Sequence, residues 1–289
     1  MKEFKPKLSN SFFFSIVPGM LWQLLFLCLP LAFIMGLSFF DVTGSFIIPT
    51  FHYYITVTNK FHLLVIMRSL LVSVFVATIC SFIAYPVAYF IAFRVSRRLQ
   101  NIGLFLLALP FWINFLLQIY AWCFILERNG VINLFLLKIG LIKEPLYLMN
   151  TMFSVILVMV QAYLPFMILP IYSGMSRFSK LLIEASYDLG ASASYTFWHI
   201  TLPLTVSGIK TGFILILVMT FGEFTIPTLL GGGKKLFVGT LISEYFFTSR
   251  SMSQGSAFVC VSGLVLCLAI FLINKIFSLI CGGVTHEDQ

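Results

Sequence analysis

Charge is scarce in this 289-residue chain: Asp, Glu, Lys and Arg together make up 10% of it, whereas 60% is hydrophobic. A soluble domain carries about 25% charged residues, so a water-soluble fold is excluded and the solvent must be lipid. Strict apolar–polar alternation is missing from the apolar runs as well. That excludes an outer-membrane barrel, whose strands are short and alternate. The GxxxxGK[ST] phosphate loop is absent. Gly231-Gly232-Gly233 leads into Lys234, Lys235 and Leu236, and Ile209 stands where a glycine would have to precede Lys210-Thr211. The chain therefore has no nucleotide-phosphate cradle of its own. No HExxH or GxSxG stands in an apolar run and paired aspartates are lacking there, so catalytic chemistry has no visible home. The six cysteines (Cys28, Cys80, Cys123, Cys260, Cys267 and Cys281) fall in or beside apolar runs without CxxC spacing, which reads as helix packing and not as a metal site.

What is present is a set of long apolar stretches. A spanning helix needs roughly 20 apolar residues, because about 30 Å of hydrocarbon must be covered at 1.5 Å per residue. Six stretches qualify: Phe13–Phe40, Ser69–Phe93, Ile102–Leu126, Thr151–Met175, Leu204–Pro227 and Ser256–Ile280. The expected fold is an all-α integral membrane protein of about six transmembrane helices, with residues 1–289 forming one membrane domain. The first stretch is too long for a signal-peptide core and no small-x-small site follows it, so it reads as a retained helix. Prolines stand in or beside five of the six (Pro18 and Pro30, Pro86, Pro110, Pro165 and Pro170, Pro227), where each removes a backbone hydrogen bond and can kink its helix.

The net charge of +8 follows membrane topology better than it follows nucleic acid, which is not expected as a partner. Lys2, Lys5 and Lys7 precede the first stretch, and the short connection 94–101 carries Arg94, Arg97 and Arg98. The bias of Lys and Arg toward the cytoplasmic face then puts both chain ends there, together with Arg177, Lys180 and Lys210. Two outer loops are longer than turns. Glu127–Asn150 opens on Asn129-Gly130 and holds an apolar segment, Val131–Ile142, too short to span and expected as an interfacial or re-entrant helix. The other, Thr228–Gly255, begins with the glycine run and the two lysines Lys234 and Lys235.

The segment 176–203 reads SRFSKLLIEASYDLGASASYTFWHITLP and lies on the same side as the Arg-rich connection. Ser179 is a candidate N-cap for a helix running to about Leu189. Gly190 can end that helix through a left-handed turn, and Ser192 or Ser194 can start the next. Leu181, Ile183 and Leu189 supply moderate amphipathicity, and Glu184 and Asp188 share a face at i and i+4. Ala185, Ser186 and Ala191 keep the surface low, so another protein's backbone can approach closely. Pro203 marks the entry to the fifth span.

Glu184-Ala185-Ser186, three residues, Gly190, nine residues, then Ile200-x-Leu202-Pro203 resembles the EAA-x3-G-x9-I-x-LP signature of permease subunits in binding-protein-dependent ABC importers. The third position is Ser in place of Ala. The resemblance implies a type I importer permease fold in a bacterial inner membrane, with 176–203 as the loop coupled to a cytoplasmic ATPase dimer. Glu184, Ala185, Ser186, Asp188, Gly190, Ile200, Leu202 and Pro203 would form the coupling element. It further implies a second, similar permease and an extracytoplasmic substrate-binding protein as partners, ATP bound by the ATPase subunit, and no cofactor in this chain. Leu109-Pro110-Phe111-Trp112, Tyr120-Ala121-Trp122, Arg128 to Asn133, Tyr163 to Met167 and Gly222 to Gly232 are similar to the polyamine (spermidine/putrescine) branch. A permease for an inorganic anion or iron(III) stays open beside it. An intramembrane enzyme has no motif to support it, and a self-sufficient channel or secondary transporter would be expected to show repeat symmetry, which is absent.

Glu223 is almost the only ionisable group inside the expected spans. Thirteen residues beyond Lys210, it would lie about 20 Å into the membrane. A carboxylate at that depth must face a cavity or a partner. A polycationic substrate would be one partner, with Trp112, Tyr120 and Trp122 adding cation–π attraction. A structural hydrogen bond across helices is the other reading, with the aromatics as interfacial anchors.

Overall fold

The computed structural model describes residues 10–41, 48–178, 180–233 and 236–281. The expected cap Ser179 and the lysines Lys2, Lys5, Lys7, Lys234 and Lys235 lie outside the described residues. By internal contacts the chain falls into two units, Met1–Asn59 with Glu244–Val261, and Lys60–Ser243 with Ser262–Gln289.

In the first unit, α1 (Val17–Leu37) is long and apolar enough to cross a membrane and buries none of its side chains within the chain. It stops short of the expected Phe40, because Phe40–Asp41 (β1) pairs antiparallel with Ile48–Pro49 (β2). A short helix, α2 (His52–Val57), follows. Its Tyr54 hydroxyl lies 2.7 Å from Ser38 Oγ, and the Tyr54 ring packs on Phe39 with centroids 5.3 Å apart. These contacts fix the turn that leaves the first span.

The second unit contains α3 (Lys60–Arg94), α4 (Arg97–Trp112), α5 (Phe115–Leu126), α6 (Val131–Lys138), α7 (Met152–Ser176), α8 (Lys180–Asp188), α9 (Ala193–Phe221), α10 (Thr225–Leu230) and α11 (Val238–Ser243). The last helix, α12 (Met252–Cys281), begins in the first unit and ends in the second. Five helices among the described residues pass as membrane spans, and a sixth arises if α4 and the α5–α6 stretch count as one broken span. The expectation of about six spans is met, with two corrections. The third is not one helix over Ile102–Leu126: it bends by 90° at Ile113-Asn114. Pro110 sits in a tight 3-10 turn, Ile113 is extended (φ −86°, ψ 138°), and the Asn114 side chain accepts from Leu116 N at 2.9 Å to start α5. The fifth span covers Ala193–Phe221 and not Leu204–Pro227, and Pro227 belongs to the separate short helix α10.

The core of this unit is the packing of α3, α7 and α9. Small residues of α3 (Ala77, Cys80, Ala84, Ala88) recur at three- and four-residue spacing and are fully buried against Val158, Met159 and Met167 of α7. Small residues let backbones approach in lipid, where no hydrophobic force drives helices together. The approach is closest at α7–α9. A Cβ on Gly208 would stand 2.5 Å from the Pro170 carbonyl oxygen and 3.0 Å from Ile171 Cα, and Gly174 would meet Gly208 Cα at 3.6 Å. The outward faces carry large apolar side chains such as Phe82, Leu71 and Phe124, as a lipid-facing surface requires.

Candidate functional site

The signature segment folds as a helix–turn–helix elbow. At the end of α8, Leu189 N bonds to Ala185 O, Gly190 N to Tyr187 O and Ala191 N to Ser186 O at 2.9–3.1 Å, closing the helix. Gly190 takes φ +85° with open space where a Cβ would be, so backbone conformation and not crowding requires the glycine. Ser192 caps the next helix, its hydroxyl accepting from Tyr195 N at 3.2 Å. That helix is not a separate short element before the fifth span, as expected. It continues as α9 through a π-turn, Phe197–Thr201, straight into the membrane. Pro203 therefore lies within a continuous helix. It has no N–H to donate, and the wider π-turn ahead of it absorbs the mismatch.

Glu184, Ala185, Asp188 and Gly190 are all exposed on the elbow, and Ile200, Leu202 and Pro203 are half-buried. Of the three apolar residues that give α8 its amphipathicity, only Ile183 is buried. Leu181 is 69% and Leu189 88% exposed, so they belong to the outward surface. Ser186 is buried, and its hydroxyl lies 2.6 Å from Thr196 Oγ1, also buried. Thr196 additionally donates to Ser192 O at 3.1 Å. The Ser that replaces Ala thus pins α8 to the start of α9, and Thr196 is its partner, ten residues on and missed in the sequence. Ser186, Gly190 and Ile200 share a concavity of about 560 Å³ at the elbow.

Glu223 does not lie inside a spanning helix. Gly222 ends α9, and Glu223 occupies the break before α10. Its Oε1 accepts from Thr225 N (2.8 Å) and Ile226 N (3.3 Å), and Tyr163 of α7 donates its hydroxyl to Oε2. The carboxylate caps one element and ties it to another. Gly239 of α11 packs against the Gly222 and Glu223 carbonyls so closely that no Cβ would fit. Trp122 donates its indole N–H to Gln161 Oε1 at 3.1 Å, and Gln118 Nε2 donates to the same oxygen at 3.0 Å. Trp112 is 77% exposed and meets Phe105 edge-on, and Tyr120 is 49% exposed. Among the described residues no hydrogen bond or ring contact links any of Glu223, Trp112, Tyr120 and Trp122 to another. Gln118 and Gln161 were overlooked, although each is a polar side chain inside an apolar run, and Tyr163 was singled out only as part of a similar segment and not as the partner of Glu223.

Helices long and apolar enough to cross a membrane, with an elbow exposed between two of them, suit a membrane transport subunit. Residues 81–280 match the model of the binding-protein-dependent transport system inner membrane component family, and the chain belongs to that family. It is 35% identical over 254 residues to the spermidine/putrescine transport system permease protein PotB of Haemophilus influenzae, covering 87% of this chain and 88% of the relative. It is likewise 35% identical over 264 residues to PotB of Escherichia coli K12, covering 88% and 96%. Its fold is shared with the crystal structure of a bacterial alginate ABC transporter in complex with an alginate pentasaccharide-bound periplasmic protein. There the TM-score is 0.76 at 18% identity, over 93% of this chain and 94% of the other.

The hydroxyl pair at the elbow is testable on its own. Ser186→Ala and Thr196→Val in a double-mutant cycle should show a coupling energy of about 0.5–1.5 kcal/mol in thermal unfolding of the purified protein. Additive single effects would show that the pair holds nothing.

Proposed function

We propose that this chain is the membrane-spanning permease subunit that forms half of the translocation pathway of a polyamine importer, working by ATP-driven alternating access. The observation that carries this reading is the exposed elbow. The signature residues fold into a hydrogen-bonded projection whose outward face offers Glu184, Asp188 and Leu189 to another protein. Its second arm is continuous with a membrane span. An ATPase dimer that closes on ATP can push on α8 and move α9 as one body. Because hydrolysis sits in that partner, the chain itself is non-catalytic and needs no cofactor. Similarity over nearly the full length of spermidine/putrescine permeases favours polyamine over an inorganic anion or iron(III).

In this reading residues 1–289 act as one permease domain in a bacterial inner membrane, with both termini and the 176–203 loop in the cytoplasm. A second, homologous permease completes the pathway, and an extracytoplasmic binding protein delivers the substrate. Glu223, Trp112, Tyr120 and Trp122 contribute to the pathway. Glu223 holds its carboxylate in place through Tyr163 and two backbone N–H groups. A carboxylate with both oxygens already fixed meets an ammonium group without further reorganisation.

Uptake of radiolabelled spermidine by proteoliposomes holding the complete importer, binding protein and ATP tests the assignment. Glu184→Ala and Gly190→Val should each lower ATP-dependent uptake at least tenfold while the protein stays inserted. Normal uptake in both, or transport by the chain alone without ATP, would contradict the reading. In the same system Glu223→Gln should raise the spermidine concentration needed for half-maximal uptake by about tenfold, the loss of one charged contact. Unchanged kinetics would assign Glu223 to structure alone.

A further inference from the structure

A second polar feature lies where α3 ends, α4 begins and α7 gives way to α8. Arg97, Gln100 and Asn101 of α4, Tyr172 and Ser176 of α7 and Lys180 of α8 line a concavity of about 400 Å³. Two cations converge on it, and none of its lining residues is acidic. The preference of Lys and Arg for one membrane face explains the sign of this charge. It does not explain why amide, phenol and hydroxyl groups from two helices should be gathered around it in a hollow.

The hollow is held in shape independently of any ligand. Gln100 Nε2 donates to the carbonyls of Ala92 (3.0 Å) and Val95 (3.4 Å), fixing the turn between α3 and α4. Lys180 Nζ donates to Phe93 O at 3.2 Å, which uses one of its three N–H groups. The rings of Phe93 and Phe178 lie 5.5 Å apart and give the hollow an apolar wall. The Arg97 guanidinium, with five N–H donors, has no hydrogen-bond partner among the described residues.

We propose that this pocket binds a phosphate group, either the phosphodiester of an anionic phospholipid or a free phosphate. Arginine matches phosphate oxygens in a bidentate fork, and Lys180 adds a point charge from the facing helix. The Asn101 amide and the Tyr172 hydroxyl supply the remaining donors to the oxygen shell. The apolar wall beside the charges suits a lipid, whose headgroup would occupy the hollow while its chains pass into the bilayer. Lys180 is the first residue of α8, so an anion bridging it to Arg97 ties the root of the coupling elbow to the connection between α3 and α4. The site stands whatever substrate the protein carries.

Binding is measured on the intact importer after delipidation. Phosphatidylglycerol is titrated in native mass spectrometry, and radiolabelled inorganic phosphate in equilibrium dialysis. Wild type should retain one phosphatidylglycerol more than Arg97→Gln or Lys180→Gln, with affinity about tenfold lower in each variant and partly restored in Arg97→Lys. The same difference seen with inorganic phosphate instead would identify a free anion as the ligand. Should one variant fail to assemble, visible in the same spectra, the other carries the comparison. Equal binding of both probes by wild type and the assembled variants, or no binding of either probe by wild type, would overturn the proposal.

Discussion

The close approach of α7 and α9 is the constraint on which the rest of the structure depends. At Gly208 the α9 backbone comes so near the Pro170 carbonyl that a single methyl group would collide with it. In lipid this contact cannot be replaced by burying more apolar surface, because the surroundings are as apolar as the side chains. Close packing and satisfied backbone groups have to hold the helices together. The hydroxyl of Tyr85 on α3, 3.2 Å from Thr205 Oγ1 on α9, adds a polar stitch three residues from Gly208.

Much follows from that rigidity. α9 runs without a break from Ala193 at the elbow to Phe221, so displacement at one end is carried to the other. At the far end the chain stops being helical at Gly222, and Glu223 fastens α10 to α7 through Tyr163. At the near end the Ser186–Thr196 pair fastens α8 to α9. The signature loop and Glu223, the residue proposed to meet substrate, therefore sit at opposite ends of one helix. Two flexible loops would not transmit motion in this way.

How much of this was legible in the sequence depended on whether a residue type announces itself locally. Gly190 and Ser192 did, because a left-handed turn and an N-cap each favour few residues. The break in the third span was legible in principle. Asn114 ahead of an apolar run, shortly after Pro110, is a cap signal that hydrophobicity masked. The limits of the fifth span were not legible, because a helix apolar on all sides has no amphipathic contrast to mark its ends. Glu223 was placed within a helix for that reason, although Gly222 could have suggested a stop. The exposure of Leu181 and Leu189 was not legible, because amphipathic spacing alone does not say which apolar residues of a short helix are covered. The Ser186–Thr196 pair and the convergence of Arg97 with Lys180 depend on tertiary placement, which no local pattern encodes.

The central claim is that the elbow at 184–190 is seated in a partner ATPase. Leu189, 88% exposed, is the residue best placed to report this. A photo-activatable amino acid put at Leu189 in the assembled importer, in native membranes, would record its neighbour directly. The account predicts a cross-link to the ATPase subunit as the principal product. A cross-link only to lipid or to the binding protein, or none despite an assembled complex, would contradict it.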